Sequence, residues 1–248
     1  ESPKDGQDIV LTIDIDLQKK AFEAVDAGLI KAKVKAGALV ISNPANGEIL
    51  ALLSFPASDP GDIGKFVTDI DKPLFNRVVA GNYAPGSVFK LVSSMAGLES
   101  GKVTENTEIE DVGVFEISGA RFSNWYYTSY GGKDGLVKID RAIARSNDIY
   151  FYKLGEATGL EEIRKWAIAM GYGQRTGIDL PGENFGLVPD ETWKNANIGE
   201  GWYLGDTMHL AIGQGDISVT PLQVAAWTSF FANGGVLYQP HIVHAISP

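Results

Sequence analysis

Five turn-forming residues, Asn43-Pro44-Ala45-Asn46-Gly47, stand between two β-rich apolar runs, Ala36 to Ser42 and Glu48 to Ser54. Turn residues flanked in this way read as a β-hairpin. That constrains the fold most, because an isolated two-stranded unit is marginal in water. Other segments read as helices. Asp14 can cap a helix whose Leu17, Ala21 and Val25 share a face, following an extended stretch from Asp8 to Ile13. Beyond the break at Pro85-Gly86, Val88, Leu91, Val92 and Met95 fall at i, i+3, i+4 and i+7, and Gly101 stands where such a helix ends. Further helices are expected over 138–145, 149–157, 160–170 and 221–232, the last with Pro221 in its first turn. Trp125-Tyr126-Tyr127 is expected on a surface loop, and 176–190, punctuated by Gly and Pro, as an irregular connection. The class is therefore α+β, an antiparallel sheet flanked by helices, in one unit without internal repeats.

Composition removes several functions. With 44% hydrophobic and 21% charged residues the chain is not a disordered one. Its formal net charge of −10 and the lack of any basic run disfavour nucleic acid as a partner. There is no cysteine, which excludes disulfides, thiolate metal sites and cysteine nucleophiles, and the three histidines all lie at or after residue 209. No segment approaches the roughly 20 apolar residues that span a bilayer.

The chemistry lies in two short patterns. Ser87 is the one serine with a lysine, Lys90, three residues on, which places both side chains on one helical face. A serine hydroxyl needs a base within hydrogen-bond reach, and a lysine serves only where burial or a nearby cation lowers its pKa. Ser87 would also sit in the first helical turn, where free N–H groups favour negative charge. Alone, the pair is a weak pattern that usually means a helix cap beside a solvated lysine. Ser146-Asn147-Asp148 is the second pattern, a hydroxyl and a carboxylate two apart between helices. It could pass a proton, or Ser146 could simply cap the next helix. Acid pairs Asp14/Asp16 and Asp69/Asp71 read as caps or solvated faces, and Gly213-Gln214-Gly215 lacks the context of a dinucleotide loop.

The order Ser-x-x-Lys, then Ser-x-Asp, is found in penicillin-binding proteins and β-lactamases. The stretch Tyr83-Ala84-Pro85-Gly86-Ser87-Val88-Phe89-Lys90 resembles the active-site segment of penicillin-binding protein transpeptidase domains. So do Leu11-Thr12-Ile13-Asp14, Gly47-Glu48-Ile49-Leu50-Ala51 and Phe75-Asn76-Arg77. Thr176-Gly177-Ile178-Asp179-Leu180-Pro181-Gly182-Glu183, Ile212-Gly213-Gln214-Gly215-Asp216 and Thr220-Pro221-Leu222-Gln223 resemble the class B, elongation-type branch. The resemblance runs nearly end to end. It implies a peptidoglycan D,D-transpeptidase in which Ser87, Lys90, Ser146 and Asp148 are catalytic and Asn147 and Gly86 bind substrate. The site would lie in the cleft beside a helical subdomain spanning about 91–200. Implied partners are the peptidoglycan stem peptide, β-lactams and a membrane glycan polymerase, at the outer face of the cytoplasmic membrane or in the periplasm. A D,D-carboxypeptidase, a serine β-lactamase or a non-catalytic β-lactam sensor or scaffold would share Ser87 and Lys90.

The family's third motif, Lys-Thr/Ser-Gly on a strand, is absent from this sequence. Arg175-Thr176-Gly177 lies in the irregular connection and is a poor substitute. The expectation is a domain incomplete at its C-terminus, whose parent carries a membrane anchor, further strands beside the hairpin and a second oxyanion donor. Some elongation-type relatives hold zinc with Asp, His and Cys ligands. Asp111 matches one ligand type, but without cysteine, or histidine before 209, no metal or other cofactor is expected.

Overall fold

The computed structural model describes residues 6–117 and 119–247. Two compact units emerge: the chain up to Tyr83 with Gln174–Gly186 and the segment from Val219 on, and a second made by Ala84–Gly173 and Leu187–Ser218.

In the first unit, β1 (Asp8–Leu11) leads into α1 (Ile15–Ala32), and the hairpin is formed by β2 (Gly37–Ser42) and β3 (Ile49–Phe55). Asp14 caps α1 by accepting from the N–H groups of Asp16 and Leu17, both at 3.0 Å. Alternate residues of β3, namely Ile49, Ala51, Leu53 and Phe55, are buried, as a strand with one covered face requires. Ala51, Leu53 and Phe55 pack with Leu17, Ala21, Val25 and Leu29 of α1. The helix α9 (Pro221–Ala232) covers β2, and its Leu222 joins Ile49, Val78, Val79 and Ile178 in a second cluster.

Among the described residues no third strand joins this hairpin beyond a single bridge from Glu48 to His241. Helices α1 and α9 pack on the hairpin. The outer edge of β3 is closed by a side chain: Gln18 donates to the Leu52 carbonyl at 2.8 Å and accepts the Leu52 N–H at 2.9 Å. Strand β1 pairs instead with β8 (Val243–Ser247), antiparallel, as a separate ladder.

The second unit is organised around α5 (Asp148–Thr158). Ile149, Tyr150, Phe151, Tyr152, Leu154 and Gly155 are all buried on it, which sets most of the helix in the core, while Lys153 and Glu156 pair on its solvent side. Around it stand α2 (Lys90–Glu99), α4 (Ile139–Ala144), α6 (Leu160–Ala169) and α8 (Leu204–Ala211). A further helix, α7 (Glu191–Ile198), and α8 fall in a stretch where no helix was expected, although Asp190 caps α7 and Gly199 ends it. The region expected to be all-helical also holds four short strands: β4 (Ile109–Asp111), β5 (Val114–Ile117), β6 (Ala120–Ser123) and β7 (Gly135–Val137). At three or four residues each, they are too short for alternation to register. Trp125, Tyr126 and Tyr127 form not a loop but the start of a helix, α3 (Trp125–Tyr130). No helix among the described residues is long and apolar enough to cross a membrane.

The helix that follows Ser87 also differs in phase from its expected pattern. Gly86–Phe89 is a 3-10 turn that runs into α2, so its three-residue period advances the buried face by one position. Phe89 is buried edge-on against Tyr172, at 5.1 Å between ring centroids, while Val88 points outward.

Candidate functional site

All the residues expected to carry chemistry lie in the second unit. Ser87 is exposed on the 3-10 turn, and Lys90, one turn on, is buried at 2% exposure. A backbone contact helps to fix that turn. Gly86 adopts φ +58° and donates its N–H to the Gly213 carbonyl at 2.8 Å; a Cβ on Gly213 would collide with the Gly86 carbonyl oxygen. Gly213, part of the pattern that lacks a dinucleotide-loop context, thus braces the turn that carries Ser87. Gly86, expected to bind substrate, has its N–H engaged in holding this turn.

Lys90 meets Ser87 through a third residue. Its Nζ donates to the Ser146 carbonyl at 2.9 Å, to Ser146 Oγ at 3.1 Å and to Asp148 Oδ1 at 2.6 Å, which uses all three ammonium protons. Ser146 Oγ in turn donates to Ser87 Oγ at 2.8 Å. Ser146 is held at φ +51°, left-handed and unusual for a non-glycine residue, and this conformation turns both its oxygens toward Lys90. Burial pushes the Lys90 ammonium below its ordinary 10.5, opposed by the Asp148 charge. Burial, aided by Asp148, also drives Tyr152 up to about 12, so its phenol stays protonated at neutral pH.

Asn147 was expected at the substrate, but it is fully buried. Its Oδ1 accepts the Tyr150 N–H at 2.9 Å and so caps α5, which neither reading of Ser146 anticipated. Its Nδ2 donates to Asp111 Oδ2 at 2.9 Å and Asp134 Oδ2 at 3.2 Å, leaving it no substrate-facing group. Asp148 meets Lys90 with one oxygen and the Trp125 N–H with the other, at 3.1 Å.

Beneath this turn lies a polar cluster that sequence reasoning missed. Asp111, 1% exposed, accepts the N–H of Gly113 at 2.7 Å and of Asp134 at 3.0 Å, and the amides of Asn124 at 2.7 Å and Asn147 at 2.9 Å. Asp134 accepts from Arg145 Nε at 3.2 Å. The residues come from four separate segments, so no spacing in the sequence signals them. They do not fit a zinc ion. Two of the four groups on the Asp111 carboxylate are main-chain N–H donors, which point hydrogen where a cation would need a lone pair. The alternative third motif fits no better: the Thr176 and Gly177 N–H groups bond the Glu183 carboxylate in a loop with no strand.

Residues 37–248 match the family model described as penicillin binding protein transpeptidase domain. The chain belongs to the penicillin-binding protein transpeptidase family. The peptidoglycan D,D-transpeptidase MrdA of Acinetobacter baumannii is 38% identical over 99% of this chain, and the chain spans 36% of that relative's length. A crystal structure of Pseudomonas aeruginosa PBP2 in complex with WCK 5153 is 35% identical, with a TM-score of 0.86 over 98% of this chain and 56% of that chain. A chain from a peptidoglycan synthase complex, solved for the structural coordination of polymerization and crosslinking, is 32% identical with a TM-score of 0.84; 100% of this chain covers 45% of it. The elongation-type transpeptidase domain suggested by the motifs is thus met both in sequence and in fold.

Proposed function

We propose that this transpeptidase domain carries the nucleophile of a peptidoglycan D,D-transpeptidase and is acylated by β-lactams at Ser87. The observation that supports it most is the chain of contacts Ser87–Ser146–Lys90–Asp148. In the state described, protons run from Lys90 toward Ser87. For catalysis Lys90 must be neutral; Ser87 then donates to Ser146 Oγ, whose proton passes to Lys90 Nζ. Ser87 Oγ bonds to the carbonyl carbon of the penultimate D-alanine of a stem peptide, and the Ser87 N–H favours the oxyanion. The C–N bond breaks and terminal D-alanine leaves with the proton returned through Ser146. An amine of a neighbouring stem peptide then takes the acyl group and restores Ser87. A β-lactam opens its ring on the same oxygen and stays attached. The D,D-transpeptidase activity for which the MrdA relative is named supports this substrate. The synthase complex, which coordinates polymerization and crosslinking, supports a glycan-polymerising partner; a membrane-bound polymerase and a site on the outer face of the cytoplasmic membrane are the finer part of the proposal.

The test is the intact mass of the full-length protein after penicillin, with the adduct mapped to a peptide. A single adduct on the peptide containing Ser87, lost in Ser87→Ala, is expected. An adduct that survives Ser87→Ala overturns the reading, and release within minutes assigns a hydrolytic relative instead.

A further inference from the structure

A carboxylate as buried as Asp111 is expensive to hold ionised unless hydrogen bonds replace its lost water. Here four N–H donors do so, and two of them belong to side-chain amides with a second task. A carboxylate only accepts hydrogen bonds, so the amides of Asn124 and Asn147 must turn their Nδ2 toward Asp111. Each Oδ1 then faces away from it. Asn124 Oδ1 receives the Asp148 N–H at 3.2 Å, and Asn147 Oδ1 receives the Tyr150 N–H at 2.9 Å. Asp111 therefore sets the orientation of the Asn124 amide and shares that of Asn147 with Asp134, and the amides fix the backbone on which Asp148 stands. Asp148 places Lys90 Nζ at 2.6 Å.

We propose that Asp111 is a positioning residue for acylation at Ser87, acting through the Asn124 amide on Asp148 and so on Lys90. It touches neither nucleophile nor base. This rests on the Ser87 reading, but the contact it depends on, from Asn124 to the Asp148 N–H, exists whether or not that reading holds. A neutral amide at 111 would bring an NH2 against N–H donors and let Asn124 rotate. Asp148 would then lose its backbone anchor. Displacement of a catalytic group by about 1 Å can lower a rate on the order of a hundredfold.

The experiment uses the full-length protein carrying Asp111→Asn, Asn124→Ala or both, with a fluorescent penicillin as probe and hydrogen exchange on the same samples. The acylation rate constant is expected to fall about tenfold or more in each single variant, while the end-point labelled fraction stays complete. A merely structural role would instead lower the labelled fraction and leave the rate constant of the folded protein unchanged. The double variant should be no slower than the slower single one, because both act through the same hydrogen bond. Exchange of the Asp148 amide should quicken, with that of Leu154, inside the helix, unchanged. A rate constant within twofold of wild type in the single variants, multiplicative losses in the double, or unchanged Asp148 exchange overturns the proposal. If wild type takes no label, the Ser87 reading falls while the exchange measurement still decides the Asp111–Asn124 link. If Asp111→Asn does not fold, Asn124→Ala alone gives both readings.

Discussion

The hairpin of the first unit and the Ser146–Asp148 turn of the second are opposite in construction. The hairpin rests on alternation: every second residue of β3 is apolar and buried, and each contact follows from a two-residue period. The turn rests on polar groups drawn from β4, the start of α3, the segment before β7 and α4–α5, each satisfied by a partner far away in sequence. Apolar periodicity tolerates a lost contact by lowering stability. A polar network of this kind registers the same loss as misdirected chemistry, since low local polarity makes each unpaired group costly.

The contrast is sharpest at Lys90. Lys90→Met keeps the length and apolar stem but removes the base, and acylation should slow by about a thousandfold or more with the fold retained. Stopped-flow labelling measures this, and a loss below tenfold would break the distinction between the two regions. In the hairpin, Ile49→Ala leaves a cavity at a fully buried position and should destabilise the protein by about 2–5 kcal/mol in urea titration, with acylation by the folded fraction unchanged. The smallest expected effect is a displacement in pH. Burial lowers the Lys90 pKa and the Asp148 charge raises it. Asp148→Asn leaves burial unopposed, so Lys90 becomes neutral at lower pH. The rising limb of acylation against pH should therefore move downward; an upward move would mean that Asp148 does not hold the ammonium.

What was legible in the sequence follows the same division. The hairpin, α1, α5, α6 and α9 show in their periods and caps, and Ser87, Lys90, Ser146 and Asp148 show in two local spacings. The 3-10 turn at Ser87 did not show, because one residue of phase separates it from an α-helix, and so Val88 was expected inward where Phe89 is found. Asn147 was misjudged because a polar residue within a motif looks like a contact to substrate; only the fold reveals that its amide faces Asp111 and Asp134. Asp111, Asn124 and Asp134 carry no mutual spacing at all. Their relation exists only once β4 and β7 have paired.

At Ser146, folding and chemistry pull apart. Glycine would suit the left-handed backbone better and lower the free energy of the folded chain, yet it has no hydroxyl to stand between Lys90 and Ser87. Alanine would keep the strain and lose the hydroxyl. On the proposed reading, the residue that would relax the backbone here and the residue that would relay the proton are different ones.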